Sequence, residues 1–107
     1  MAINVPRGTT DATIERIKEV LHHYERDHPD ALIDLYRQNS VSIRIRVVDN
    51  FFSPLGKSAR NRLLWDYLRK LSDDDQSDIS TLLLLTPDEA RSSFANFEFD
   101  DPVPSVL

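Results

Sequence analysis

The chain predicts an α+β fold: a small three-stranded mixed sheet with helices on one face, in the order α-β-β-α-β-α. Three observations carry this. Ile14, Ile17, Leu21 and Tyr24 recur at helical spacing, Ile43, Ile45 and Val47 alternate with Ser42, Arg44 and Arg46, and Leu64, Leu68 and Leu71 restore the helical period after a loop holding Pro54 and Gly56. With 107 residues, 40% of them hydrophobic, the chain can fill one core. One domain is therefore expected over residues 11–91, between a loosely ordered segment at 1–10 and a Phe-rich acidic tail at 92–107.

Each element has its own local signal. Thr10 or Asp11 can cap the first helix, which ends before Pro29 because proline biases His28 away from helical geometry. Residues 30–37 are ambiguous, since Ala31, Ile33 and Leu35 alternate as in a strand while Ala, Leu and Gln favour helix. Strand is the more economical reading, because Gln38-Asn39-Ser40 forms a turn into the second strand and completes a hairpin. In that second strand one face is apolar and the other cationic.

Ser58 is expected to cap a helix reaching about Leu71, with Leu64, Tyr67, Leu68 and Leu71 buried, Leu63 beside them, Arg62 and Arg69 opposite, and Trp65 at the border. Residues 72–78 read as an acidic loop and 79–85 as a third strand, apolar on both faces towards its end. Thr86-Pro87-Asp88-Glu89 then opens a short helix with capping-box chemistry. Helices on one face leave the other face of the sheet open, where Arg44 and Arg46 sit and where Leu82 and Leu84 are expected to need cover. Phe94, Phe97 and Phe99 of the tail, or a second subunit, could supply it, so a homodimer or another protein partner is expected.

Charge is distributed unevenly. Although the net charge is −5, residues 37–70 hold eight basic side chains against only Asp49 and Asp66. Either an anion-facing surface or pairing within the chain produces such an asymmetry. The first reading makes Arg44, Arg46, Arg60, Arg62 and Arg69, with Trp65 as a stacking surface, a nucleic-acid site. The second pairs these arginines with Asp34, with Asp73, Asp74 and Asp75, or with Asp100 and Asp101.

Other chemistries lack their residues. There is no cysteine, so disulfides, thiolate metal sites and cysteine nucleophiles are excluded. Gly56-Lys57-Ser58 resembles the end of a phosphate-binding loop, but Phe51 stands where its first glycine belongs. Asp73, Asp74, Asp75 and Asp78 lack the glycine and the final glutamate of a calcium loop. His22, His23 and His28 diverge around a helix and read as solvated side chains near its C-terminus. No hydrolase motif, signal peptide or apolar span is visible, so a cytoplasmic, non-enzymatic chain without cofactor, metal, small-molecule substrate or membrane contact is expected.

Val47-Val48-Asp49-Asn50-Phe51-Phe52, then Arg60-Asn61-Arg62-Leu63-Leu64, then Thr86-Pro87-Asp88-Glu89 resemble the pattern of the BolA family, in element order from about Asp11 to Glu89. The resemblance implies a fold like a type II KH domain. It also implies roles in nucleic-acid binding and, with monothiol glutaredoxins, in sharing an iron–sulfur cluster. Asn61 and Asp78 stand where the family has its ligand histidines, and Pro54 and Leu55 replace its loop glycine and lysine. An amide does not substitute for imidazole on such iron, so the chain reads as a divergent member without the ligand histidines. Its expected function is a self-associating regulatory module acting through protein contacts, with nucleic-acid binding as the alternative and cluster sharing as a lesser one.

Overall fold

Alternation and helical period place the elements much as expected, and their pairing decides which faces meet. The structure, a computed structural model, describes residues 3–4 and 11–100, without the side chains of Asn4, Phe94 and Ala95. The elements are β1 (Ile3–Asn4), α1 (Ala12–Asp27), β2 (Leu32–Asn39), β3 (Ser42–Val48), a single 3-10 turn (Asn50–Phe52), α2 (Lys57–Leu68), α3 (Asp73–Asp78), β4 (Ile79–Leu85), α4 (Pro87–Ser92) and α5 (Phe94–Asp100). The α-β-β-α-β-α order holds within this series. The ambiguous segment after Pro29 is a strand because Ile33 and Leu35 enter the core opposite Val47 and Ile45.

The sheet runs β1-β2-β3-β4, with β2 and β3 antiparallel and both outer pairs parallel. The three expected strands form its body, and Ile3–Asn4 adds a two-residue edge beside β2. Of the expected flexible segment at 1–10, these two residues are therefore a paired strand, and the remainder lies outside the described residues. Ile14, Ile17, Leu21 and Tyr24 of α1 and Leu64 and Leu68 of α2 pack on the face formed by Ile33, Leu35, Ile43, Ile45 and Val47. Fully burying one such side chain is worth about 1.5–3 kcal/mol.

Local chemistry sets the helix ends. Asp11, rather than Thr10, caps α1: its carboxylate accepts from the Ile14 N–H at 2.9 Å and from Arg37 Nε at 2.6 Å. The Arg37 hydrogen bond, ahead of the Ile14 amide, holds the Asp11 carboxyl below its ordinary range. Asp11→Ala is therefore expected to cost about 1–2 kcal/mol in a denaturation midpoint at neutral pH. The depressed pKa means that this stabilisation is present above the ordinary carboxylate range and fades as pH falls through it, so the variant and the parent should converge in acid.

Two local readings are corrected. Gly56, not Ser58, is the N-cap of α2, and it offers no side-chain oxygen. Residues 72–78 are not a loop: Ser72 caps α3 by accepting from the Asp75 N–H, and Asp73, Asp74 and Asp75 sit in a first turn whose dipole favours acids. Asp75 is buried and receives both Nε (2.6 Å) and Nη2 (2.9 Å) of Arg16 from α1, a partner that local sequence could not name.

The strand register overturns one reading directly. Leu82 lies beside Ile45 and Leu84 beside Val47, so both face the core and not the side of Arg44 and Arg46. Leu83, next to Arg46, takes the outer face instead. The expected pair of exposed leucines for self-association is thus part of the core side of the sheet.

Candidate functional site

The outer face of the sheet is covered by the chain's own C-terminal helix. Asp34 pairs in register with Arg46, and Tyr36 with Arg44, which places all four side chains on the face opposite α1 and α2. Helix α5 crosses them. Phe99 is 1% exposed, with its ring 4.9 Å from that of Tyr36 and 4.7 Å from the Arg46 guanidinium carbon. The Tyr36 hydroxyl donates to the Phe99 carbonyl at 2.8 Å. The expected tail is thus a helix up to Asp100 that docks mainly through Phe99. Phe97 is 56% exposed, and the Phe94 side chain and residues 101–107 lie outside the described residues.

Arg44 and Arg46 are bound at nearly every donor. Arg44 Nη1 donates to Tyr36 Oη at 3.0 Å and to Glu98 at 2.7 Å, and Nη2 reaches the second Glu98 oxygen. Arg46 donates from Nε and Nη2 to Asp34 at 3.1 and 2.6 Å, and from Nη1 to Asp100 at 2.7 Å and Asn96 at 2.9 Å. The Glu98 hydrogen bond raises the Arg44 pKa further, and Arg44 in turn lowers that of Glu98. Of the two readings of the basic stretch, pairing within the chain describes these two residues. Asp34 and Asp100 are among the carboxylates that the sequence nominated, whereas Glu98 and Asn96 are not.

Arg60 is interior. Its residue is 7% exposed, and it donates to the carbonyls of Leu55 (2.9 Å) and Leu84 (3.1 Å) and to both oxygens of Glu89 (2.5 and 3.2 Å), above the Phe52 ring at 5.6 Å. Glu89 also completes the capping box of α4, accepting from the Thr86 N–H at 2.9 Å. The Arg60 hydrogen bond, then that cap, hold the Glu89 carboxyl at about 2. The other members of the expected site do not join it. Among the described residues Arg62 is exposed without an ion pair and the Arg69 side chain, just past the end of α2, has only Asp66 at 3.4 Å, while Trp65 packs partly against the core.

Along the free side of β4 runs a groove of about 690 Å³, bounded by Leu55 and Gly56 before α2, by Lys57, Arg60 and Asn61 in its first turns, and by Glu89, Ser92 and Ser93 of the α4 region. Its floor is Leu82 to Leu85. Among the described residues no strand pairs with this edge. The sequence offered no sign of the groove, because its floor and walls come together only through the β3–β4 pairing.

His28 was also misread as solvated. It stacks on Tyr24 at 4.3 Å, meets Phe51 edge-on at 4.6 Å, and places Nδ1 3.7 Å from the buried Asp49 carboxylate. Asp49 accepts from the Tyr24 hydroxyl at 2.7 Å and from the Phe51 N–H at 3.0 Å. Burial, ahead of that hydrogen bond, pushes the Tyr24 phenol up. This cluster holds the start of the 3-10 turn against α1.

The two positions matching the family's ligand histidines are occupied with other bonds. The Asn61 amide donates to the Lys57 carbonyl at 3.0 Å, and the Asp78 carboxylate accepts from Arg37 at 3.3 Å. Neither supplies the imidazole or thiolate of an iron–sulfur ligand, so these residues do not fit such a cluster. Among the described residues no group of three or more His, Asp or Glu side chains is placed to hold a metal, and no helix is long and apolar enough to cross a membrane.

Fold and surfaces together define a small α+β domain whose sheet is covered by α1 and α2 on one side and by α5 on the other, with the β4 edge unpaired among the described residues. Set against protein-family models, curated proteins and solved structures, the chain matches none.

Proposed function

We propose that the chain is a non-enzymatic interaction module that works through contact with another protein. The observation that carries this reading is the closure of the basic sheet face: Arg44, Arg46 and Arg60 each hold a carboxylate of the same chain, so three of the five arginines that a phosphate backbone would need are already used, and only Arg62 and Arg69 stay exposed. What stays accessible is the edge of a sheet, a surface suited to protein backbone.

Nucleic-acid binding is the reading to test against. Phosphate-driven complexes lose affinity steeply as salt rises, because counterions are released on binding. Titrating the chain into mixed DNA and RNA at low salt should show no retention, and hence no salt slope. A complex that forms at low salt and dissolves along a salt series would overturn the proposal.

A further inference from the structure

We infer that the groove beside β4 binds an extended acidic segment of a partner protein as an added strand. The inference rests on the interaction-module reading and names the partner's chemistry.

Backbone direction supplies the first ground. The Leu85 carbonyl faces β3's end, accepting from the Asp49 N–H at 2.9 Å, so by the two-residue period Leu84 and Leu82 turn their backbone groups outward. The Leu84 carbonyl is taken by Arg60, and the outward groups of Leu82 remain for a visitor. Natural edges are usually blunted by charge, proline or a bulge; Ile79–Leu85 carries no charge and no proline, and its one register shift lies at Ser80, before the four leucines.

Shape and charge narrow the occupant. The edge lies between walls contributed by α2 and α4. A single extended chain needs only the spacing of one further strand, about 4.8 Å, beside this edge. At about 3.3 Å per residue, the four leucines offer on the order of 13 Å of floor. Leu55, Leu82 and Leu84 suit alternate apolar side chains. Lys57, exposed and without an ion pair among the described residues, stands at one end of the groove, while the Glu89 charge is already matched by Arg60. The first turn of α2 adds positive potential with no acidic residue to offset it. An acidic strand complements this rim.

Three synthetic peptides of β4's length test the inference on the full chain: a valine–glutamate repeat, its valine–lysine counterpart, and the first peptide N-methylated at alternate residues. Amide exchange and chemical shifts of Leu82 to Leu85 report the site. The acidic peptide should protect the Leu82 amide, and N-methylation should weaken binding by about tenfold or more, since each lost backbone hydrogen bond is worth roughly 0.5–1.5 kcal/mol. Lys57→Glu, at an exposed position, should remove the preference for the acidic peptide over the basic one. Absence of any change at Leu82 to Leu85, or equal binding of the N-methylated peptide, would overturn the inference and leave the interaction-module reading standing. Pairing of these amides in a second copy would do the same. A single-stranded oligonucleotide that shifts them instead would overturn both.

Discussion

Arg60→Ala is expected to destabilise the domain by about 2–4 kcal/mol in chemical denaturation, while Arg62→Ala, two residues along the same helix, should stay within about 0.5 kcal/mol. The difference follows from burial. Arg60 satisfies the carbonyls of Leu55 and Leu84 and both oxygens of Glu89, and its removal leaves the buried Leu84 carbonyl without a donor and the other acceptors to partial hydration. Arg60→Met separates packing from bonding: it restores the aliphatic stem but no donor, so most of the loss should persist. The acid limb supplies a second readout. Glu89, held at about 2 against an ordinary 4.5, contributes stability above the ordinary value that is lost as pH falls towards 2. Because the Glu89 side chain is 45% exposed, solvent screens that contribution, but the slope across this window should flatten in Arg60→Ala. An Arg60→Ala protein as stable as the parent would refute this account of the α2–β4–α4 junction.

Phe99→Ala should be comparable, at about 3–5 kcal/mol, because the ring is fully buried between Tyr36 and Arg46. Small domains have only about 5–15 kcal/mol in total, so this one side chain carries a large share. Phe97→Ala, on the exposed side of the same helix, should cost no more than about 0.5 kcal/mol. The buried variant also has a functional consequence. Loosening α5 withdraws Glu98 from Arg44 and Asp100 from Arg46, which frees cations on a broad sheet face. Phe99→Ala should therefore show weak, salt-sensitive binding to mixed DNA and RNA beyond any shown by the parent. A variant that loses stability but gains no such binding would show that Asp34 and Tyr36 suffice to occupy the two arginines.

Strong periodic signals translated directly into structure. The stripe of α1, the alternation of β3 and the Thr86–Glu89 capping box each depend on residues close in sequence, and each formed where its pattern lies. Residues 82–85 could not be resolved in the same way. Four leucines in succession carry no two-residue period, so the facing of Leu82 and Leu84 was set by pairing with Ile45 and Val47. The acidic run at Asp73 was also undecidable locally, since like charges suggest a solvated loop until Arg16 from α1 neutralises Asp75.

The candidate site divides along the same line. Composition alone located the basic stretch, and with it the choice between an external anion and an internal partner. Asp34 was legible as a partner because it faces Arg46 across a hairpin. Glu98 was not, because its match with Arg44 spans 54 residues and depends on the docking of Phe99.

By itself the sequence determined the α+β class, the order of its main elements and the amphipathic faces that meet in the core, because hydrophobic period and capping are local properties. Tertiary structure alone decided which arginines are spent inside the chain, on which side β4 presents its leucines, and that a groove lies open beside it. Those outcomes depend on strand register and on carboxylates brought from distant residues, and neither leaves a periodic trace in the chain.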